Sequence, residues 1–341
     1  MNEKNDNLKS YVCLNPFNYL EIHQEKVYCC CPSWLKLPVG DVENLSDIWH
    51  GENLKKIQES VLDGSYLYCN KELCPRLSEL YYNNISTYFM EKKYFISANY
   101  NDGPEMLNLS FDRTCNLSCP SCRDQVESYE LDNNIMDNIS NSFGNSVIKI
   151  GITGSGDAFA SKIFRNFLIN FDYEKFPKTS SIHLQTNGLL LTENMWNKMH
   201  KIHNLIGSIC ISVDASTKET YEIIRRGGNW NTLMNNLKFI SKLDCFIYFV
   251  FIVQDTNYKE MKSFYNLIEN ISPKFKIVFN KISNWGTYTE EEFKNKEIYN
   301  ESHPEFNLFL IELNKIAFKN NVVETNMNDI IEKHLINKKI L

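Results

Sequence analysis

No apolar run in this chain approaches the ~20 residues that a helix needs to span a bilayer. The longest, Phe246 to Val253, has the length of a buried strand. The first ten residues, MNEKNDNLKS, are polar and hold no apolar core of the secretory kind. A cytoplasmic location and no membrane partner are therefore expected. Basic excess is missing too: 36 Lys and Arg stand against 42 Asp and Glu, for a net charge of -6 and a pI near 5.7. Without a basic field, nucleic acid is not an expected partner. No G-x-S-x-G elbow, Walker loop or H-E-x-x-H stretch occurs. His200 and His203 are spaced i, i+3 on an expected helix, but no third ligand accompanies them, which argues against a hydrolytic metal site. The second half of the chain is poor in cysteine. Of eleven cysteines, only Cys210 and Cys245 follow Arg123. In a reducing compartment, nine thiols crowded before that point suggest metal binding in two places rather than a disulfide framework. The remaining composition, 43% hydrophobic and 23% charged over 341 residues, is that of a globular protein of one large or two medium domains.

The densest cysteine stretch is Leu107 to Arg123, LNLSFDRTCNLSCPSCR. Cys115, Cys119 and Cys122 follow an apolar run that reads as a strand, in the spacing C-x3-C-x2-C. Three thiolates on one short loop can reach a common centre. A structural zinc site closes its shell with four protein ligands, and this loop offers three. An iron–sulfur cube held by three cysteines keeps one iron open to a small molecule.

Ahead of it lies a second group: Cys13, the run Cys29-Cys30-Cys31, Cys69 and Cys74. Tyr19 to Ile22 and Val27 to Cys30 read as a hairpin. Leu45 to Leu62 has helical spacing and ends at Asp63-Gly64. Four ligands can be drawn from Cys13, one of the middle trio, Cys69 and Cys74, for zinc or for an iron–sulfur cluster alike. Ser78 to Phe95 reads as a helix, and Asn99 to Gly103 as a turn-rich boundary. The expected domains are 1–103 and 104–341.

From Glu105 strands and helices alternate. Strands are expected at Met106 to Phe111, Ser146 to Ile152, Ser181 to Thr186, Ser208 to Val213, Cys245 to Val253 and Lys276 to Phe279. That alternation predicts a parallel sheet with crossover helices. Six units suit an α/β fold of partial (β/α)6, TIM-like barrel type, preceded by a small cysteine-rich α+β domain. In such barrels chemistry sits at the C-terminal strand ends, where the cysteine loop falls. Gly154-Ser155-Gly156-Asp157 follows the second strand and can bare backbone N–H groups to a ligand. Thr186-Asn187-Gly188 follows the third. On the fourth, alternation puts Cys210, Ser212 and Asp214 on one face, expected to line the barrel, where a bound ribose or carboxylate would give the polar groups partners. Cys210 is a candidate hydrogen donor to a substrate radical, or simply a small buried residue. Asn307 to Asn321 reads as a closing helix, and Lys333 to Leu341 as a frayed end.

The cysteine loop in this setting resembles that of the radical S-adenosylmethionine (SAM) superfamily, although Ser121 stands where many members carry an aromatic residue. The resemblance implies a [4Fe–4S] cluster on Cys115, Cys119 and Cys122 whose open iron chelates SAM. Reductive cleavage would yield a 5′-deoxyadenosyl radical that abstracts hydrogen from an organic substrate. Gly154 to Asp157 resembles the family's GGE motif, with Asp157 for glutamate, which binds the amino group of the SAM methionine. The resemblance puts Asn187 near the cofactor, Ser212 and Arg225 in contact with it (Arg226 being the solvated alternative), and Val253-Gln254 near the adenine. C-x2-P-F-x2-L-x-I, V-Y-x-C-C-P, I-W-x-G-E and L-D-G-x-Y-x-Y-C-N-x3-C-P look like the accessory SPASM or twitch domain, here ahead of the barrel. That implies one auxiliary [4Fe–4S] cluster on Cys13, Cys30, Cys69 and Cys74, with Cys31 as the alternative to Cys30. Trp285-Gly286-Thr287 and His303-Pro304-Glu305 recur in such relatives, and His303 is read as structural. The implied partners are a reductant such as flavodoxin or ferredoxin and an organic substrate. A small or glycan-linked substrate is favoured, and a peptide or protein is the alternative. A zinc-binding interaction protein and an iron–sulfur electron carrier are the rival functions.

Overall fold

The computed structural model describes residues 8–81, 87–95, 102–130, 134–272, 274–317 and 322–336. The chain divides into two compact units. The first comprises Met1–Arg113, Glu130–Gly156 and Asn170–His183; the second comprises Thr114–Tyr129, Asp157–Ile169 and Leu184–Leu341.

In the first unit, Tyr11–Cys13 (β1), Tyr19–His23 (β2), Lys26–Tyr28 (β3) and Gly40–Asp41 (β4) precede a helix at Glu52–Leu62 (α1). The expected hairpin is present, with Ile22 opposite Val27. The single helix expected over 45–62 is divided. A 3-10 segment spans Val42–Asp47, and Gly51, in extended conformation, starts α1 afresh. The apolar spacing continued across the break because both pieces bury one side, through Leu45 and Ile48 in the first and Leu54, Ile57 and Val61 in the second. The helix expected over 78–95 is also corrected. A helix covers Pro75–Tyr81 and a short one Lys92–Phe95, and 82–86 lie outside the described residues, but Phe89–Glu91 (β5) is a strand paired antiparallel with β1, Cys13 opposite Phe89. A partner almost eighty residues away, invisible to local periodicity, overrides helical propensity there. Val12, Val61, Tyr66, Leu77, Leu80 and Phe89 form the core beneath the N-terminal cysteines. Residues 99–101 of the expected boundary turn lie outside the described residues.

Met106–Ser110 (β6) and Lys149–Ile152 (β7) are the first two strands of the alternating region, with Ile135–Phe143 (α2) between them. β6 pairs in parallel with β7 on one side and with β2 on the other, Leu107 opposite both Ile150 and Leu20. The hairpin thus continues the sheet of this unit. The chain passes into the second unit within Ser181–Thr186 (β8).

The second unit holds Lys162–Ile169 (α3), Glu193–Lys198 (α4), Ile206–Ser212 (β9), Lys218–Ile224 (α5), Trp230–Ile240 (α6), Phe246–Val253 (β10), Met261–Ile271 (α7), Lys276–Lys281 (β11), Phe306–Asn314 (α8) and Val323–Thr325 (β12). Its strands run in the order β9-β10-β11-β12, all parallel. That row is open and does not close into a barrel. Thr192, Thr217 and Asn229 each accept a backbone N–H at the start of the following helix, a cap that contributes about 1 kcal/mol. Phe251 packs on Phe264 and Phe279 at centroid distances of 5.0 and 5.3 Å. Burying each such ring stabilises the fold by about 2–3 kcal/mol. α8 covers much of the closing helix, whose expected last residues, 318–321, lie outside the described ones, as do 337–341. No described helix is long and apolar enough to cross a membrane.

Candidate active site

Thr114 to Tyr129, which opens the second unit, carries Cys115, Cys119 and Cys122. Backbone bonds from Cys122 N and Arg123 N to the Cys119 carbonyl, 2.9 and 3.0 Å, wind the last two ligands into a tight turn. The Cys115 N–H donates to the Glu127 carbonyl at 3.0 Å, closing the loop on itself. Arg226 clamps it from outside. Its Nε donates to Ser118 Oγ at 3.1 Å and its Nη2 to the Asp124 carbonyl at 2.6 Å. Arg226 was expected to be solvated; it is exposed, yet its hydrogen bonds go to this loop. Cys119 is buried, Cys115 half-buried and Cys122 exposed. Burial pushes the Cys115 thiol up to about 11, and Asp157 adds to the rise. Burial also raises Cys119, while Arg225, whose Nη1 lies 3.7 Å from its sulfur, pulls it down.

In the first unit Gly154, Ser155 and Gly156 form the turn after β7, and Ser155 Oγ donates to the Ser110 carbonyl at 2.5 Å. The left-handed residue of this turn is Thr153, φ +69, ahead of the glycines. A β-branched residue there carries strain of about 1–2 kcal/mol. Asp157, first residue of the next stretch of the second unit, is buried and fully engaged. Its Oδ1 accepts from Phe159 N and Ala160 N, and its Oδ2 from Thr186 Oγ1 and Asn187 N at 2.9 and 2.7 Å. This carboxylate, expected to meet a ligand's amino group, ties two loops together. Gly188, φ +80, completes the Thr186-Asn187-Gly188 turn, and Asn187 Nδ2 reaches Asn116 Oδ1 at 2.9 Å and Cys115 Sγ at 3.9 Å.

Along β9, Ile209, Ile211 and Val213 are fully buried, while Cys210 and Ser212 stand half-buried on the opposite face, as alternation predicts. After Val213 the backbone turns through Asp214 at φ +64. The partners expected from a ligand are supplied to Asp214 by the protein. Oδ2 pairs with Arg225 Nη2 at 2.6 Å and Oδ1 accepts from Ile252 N at 2.7 Å. Asn257 Nδ2 donates to the Asp214 carbonyl at 2.9 Å and holds the turn. Arg225 therefore joins Asp214 to Cys119. Burial opposes its charge, and Asp214 and Cys119 more than restore it. Its Nε is buried without a hydrogen-bond partner, as is the hydroxyl of Tyr221 one turn earlier.

The N-terminal thiols belong to the first unit. Cys13, Cys30, Cys69 and Cys74 act on one another electrostatically. Burial lifts Cys13 to about 12, with Cys30 the next cause. Cys30 Sγ accepts from Trp34 Nε1 at 3.1 Å and Asn15 Nδ2 at 3.3 Å, donors suited to a thiolate. Burial raises the Cys31 thiol, while hydrogen bonds with Ser33 pull it down. Cys29 is buried and also felt by Cys30, Cys69 and Cys13. Among the described residues, no three His, Cys, Asp or Glu side chains converge closely enough, as placed, to hold a single metal ion. The donor chemistry at both sets nonetheless fits a thiolate-ligated cluster: grouped sulfurs are met by N–H donors, and Arg225, whose Nη1 reaches Cys119, keeps a buried Nε without a partner.

The chain is similar to several solved structures, two of them with S-adenosylmethionine bound. SuiB of Streptococcus suis, bound to S-adenosylmethionine, matches with 12% identity over 83% of this chain and 65% of that one, at a TM-score of 0.46. anSMEcpe with bound AdoMet matches with 18% identity over 64% and 60%, at 0.48. Methylornithine synthase, PylB, matches with 12% identity over 65% and 71%, at 0.40. The chain spans a little under two thirds of the SuiB chain. No protein-family model matches the sequence, and no curated protein does.

Several residues at this site escape a reading of the sequence. Arg123 follows Cys122 directly and Glu127 lies four further on, a spacing that could have signalled an ion pair within the loop. Trp34 and Tyr221 stand at the same spacing from Cys30 and Arg225, whereas Asn15 gave no such signal, because the fold alone carries it to Cys30. His203 stacks on Trp196 at 4.2 Å, and His303 bonds to the Asn295 carbonyl and Glu305 N.

Proposed function

We propose that this chain is a radical SAM enzyme. The observation that carries the reading is the three-thiol loop whose Cys119 is met by a half-buried arginine, Arg225, with its Nε buried and left without a partner. A [4Fe–4S] cluster held by Cys115, Cys119 and Cys122 would supply the electron for reductive cleavage of SAM, the chemistry that would generate a 5′-deoxyadenosyl radical able to take hydrogen from an organic substrate.

This chain's own residues hold and shield those groups. Cys115, Cys119 and Cys122 are the cluster ligands. Arg225 Nε is a donor for the SAM carboxylate, and half-buried Ser212 is a second. Asn187 and Asp214 act behind the cofactor rather than on it. Cys13, Cys30, Cys69 and Cys74 bind an auxiliary cluster in the accessory region, residues 1–103. Cys30 is preferred over Cys31 because Trp34 and Asn15 donate to it. The substrate is an organic molecule of small, sugar-linked or peptide type, and the electron comes from a flavodoxin- or ferredoxin-like donor.

Iron and sulfide counting after anaerobic reconstitution tests the metal assignment. Two clusters per chain are expected, one lost in the Cys115→Ala/Cys119→Ala/Cys122→Ala variant and the other in Cys69→Ala/Cys74→Ala. A colourless, zinc-loaded protein without iron would overturn it.

A further inference from the structure

Each of the three loop sulfurs has a side-chain nitrogen within 4 Å: Asn187 Nδ2 at Cys115 (3.9 Å), Arg225 Nη1 at Cys119 (3.7 Å) and Arg123 Nη2 at Cys122 (3.6 Å). Each of those residues is in turn held by a carboxylate, the asparagine through its backbone and the arginines through their side chains. Asp157 Oδ2 accepts from the Asn187 backbone N at 2.7 Å, Asp214 Oδ2 pairs with Arg225 Nη2 at 2.6 Å, and Glu127 Oε2 stands 3.5 Å from Arg123 Nη1. Asp157, Asp214 and Arg123 are 1%, 3% and 4% exposed, so these are interior charges, not solvated ones. The pairs come from separate parts of the second unit. One is internal to the loop, one joins the start of the 157–169 stretch to the turn after β8, and one joins the end of β9 to the end of α5. Charges that merely braced the loop would not need to deliver one nitrogen to each consecutive ligand.

We propose that Asp157, Asp214 and Glu127 are positioning residues that fix one nitrogen donor on each cysteine, and that this ring sets the reduction potential of the loop's cluster. The inference rests on the cluster reading above. A donor N–H and a positive charge at a ligand sulfur stabilise the reduced, more negative state of a cluster. A carboxylate behind the donor has the opposite charge effect while holding the donor in place. The two members of a pair therefore act on the potential with opposite sign, which a bracing role alone would not produce.

The test is the midpoint potential of the cluster in reconstituted protein without SAM, followed by electron paramagnetic resonance of the signal that Cys119→Ala abolishes. Arg123→Gln and Arg225→Gln are expected to lower it. Glu127→Gln and Asp214→Asn, which keep an acceptor for the arginine and remove only the charge, are expected to raise it. Should either arginine or its carboxylate prove too disruptive to fold, the other pair carries the same test. Potentials indistinguishable from wild type in variants that retain full iron would overturn the inference and leave the cluster reading intact. A loop that binds no iron in the wild type, with the auxiliary thiols loaded, would overturn the cluster reading and this inference with it.

Discussion

Removing the Asp157 carboxylate would strand four donors in the interior at once. Asp157→Ala is expected to cost about 3–5 kcal/mol, the range for breaking a buried, multiply bonded charge, and Asp157→Asn less. Urea unfolding of the iron-free protein measures this, and a loss below about 1 kcal/mol would contradict the role. Cys210 gives a pH dependence. Burial lifts its thiol to about 11 from 9.0, with Arg225 pulling the other way. The unfolded thiol ionises first, so between those values the folded state holds more protons and stability falls as pH rises. The contribution is present below pH 9, is lost by about 11, and two units amount to about 2–3 kcal/mol. Thermal midpoints of iron-free protein from about pH 8 to about pH 11 are expected to fall more steeply for wild type than for Cys210→Ala, and equal slopes would contradict the assignment.

Among the elements, the end of α5 is where packing and site meet. A Cβ on Gly228 would lie 2.8 Å from the Arg225 carbonyl and from Tyr221 Cε1. Gly228→Ala is expected to cost about 1–3 kcal/mol and to displace Arg225 from Cys119; an unchanged denaturation midpoint would contradict that. The six alternating strands were legible because their buried positions repeat every second residue, as in Ile209, Ile211 and Val213. β5 and β12 were not, because a three-residue strand is specified by its partner rather than by its own pattern. The break at Gly51 was hidden by apolar spacing that happened to stay in phase. At the site, the thiols were legible from residue type and spacing, whereas the engagement of Asp157 by Thr186 and Asn187, and of Asp214 by Ile252, depends on partners far along the chain, and the turn at Asp214 on a non-glycine residue at positive φ.

At the scale of the molecule, two thiol sets lie in two compact units, and each reads as a cluster site on its own chemistry. The loop in the second unit carries the proposed reaction. That claim is tested most directly by anaerobic incubation of the reconstituted protein with SAM and dithionite, assayed for 5′-deoxyadenosine beside a Cys119→Ala control. The expected result is deoxyadenosine from wild type and none from the variant. Full iron loading with no deoxyadenosine, in the presence of either peptide or sugar-nucleotide candidates, would contradict the account and favour an electron carrier.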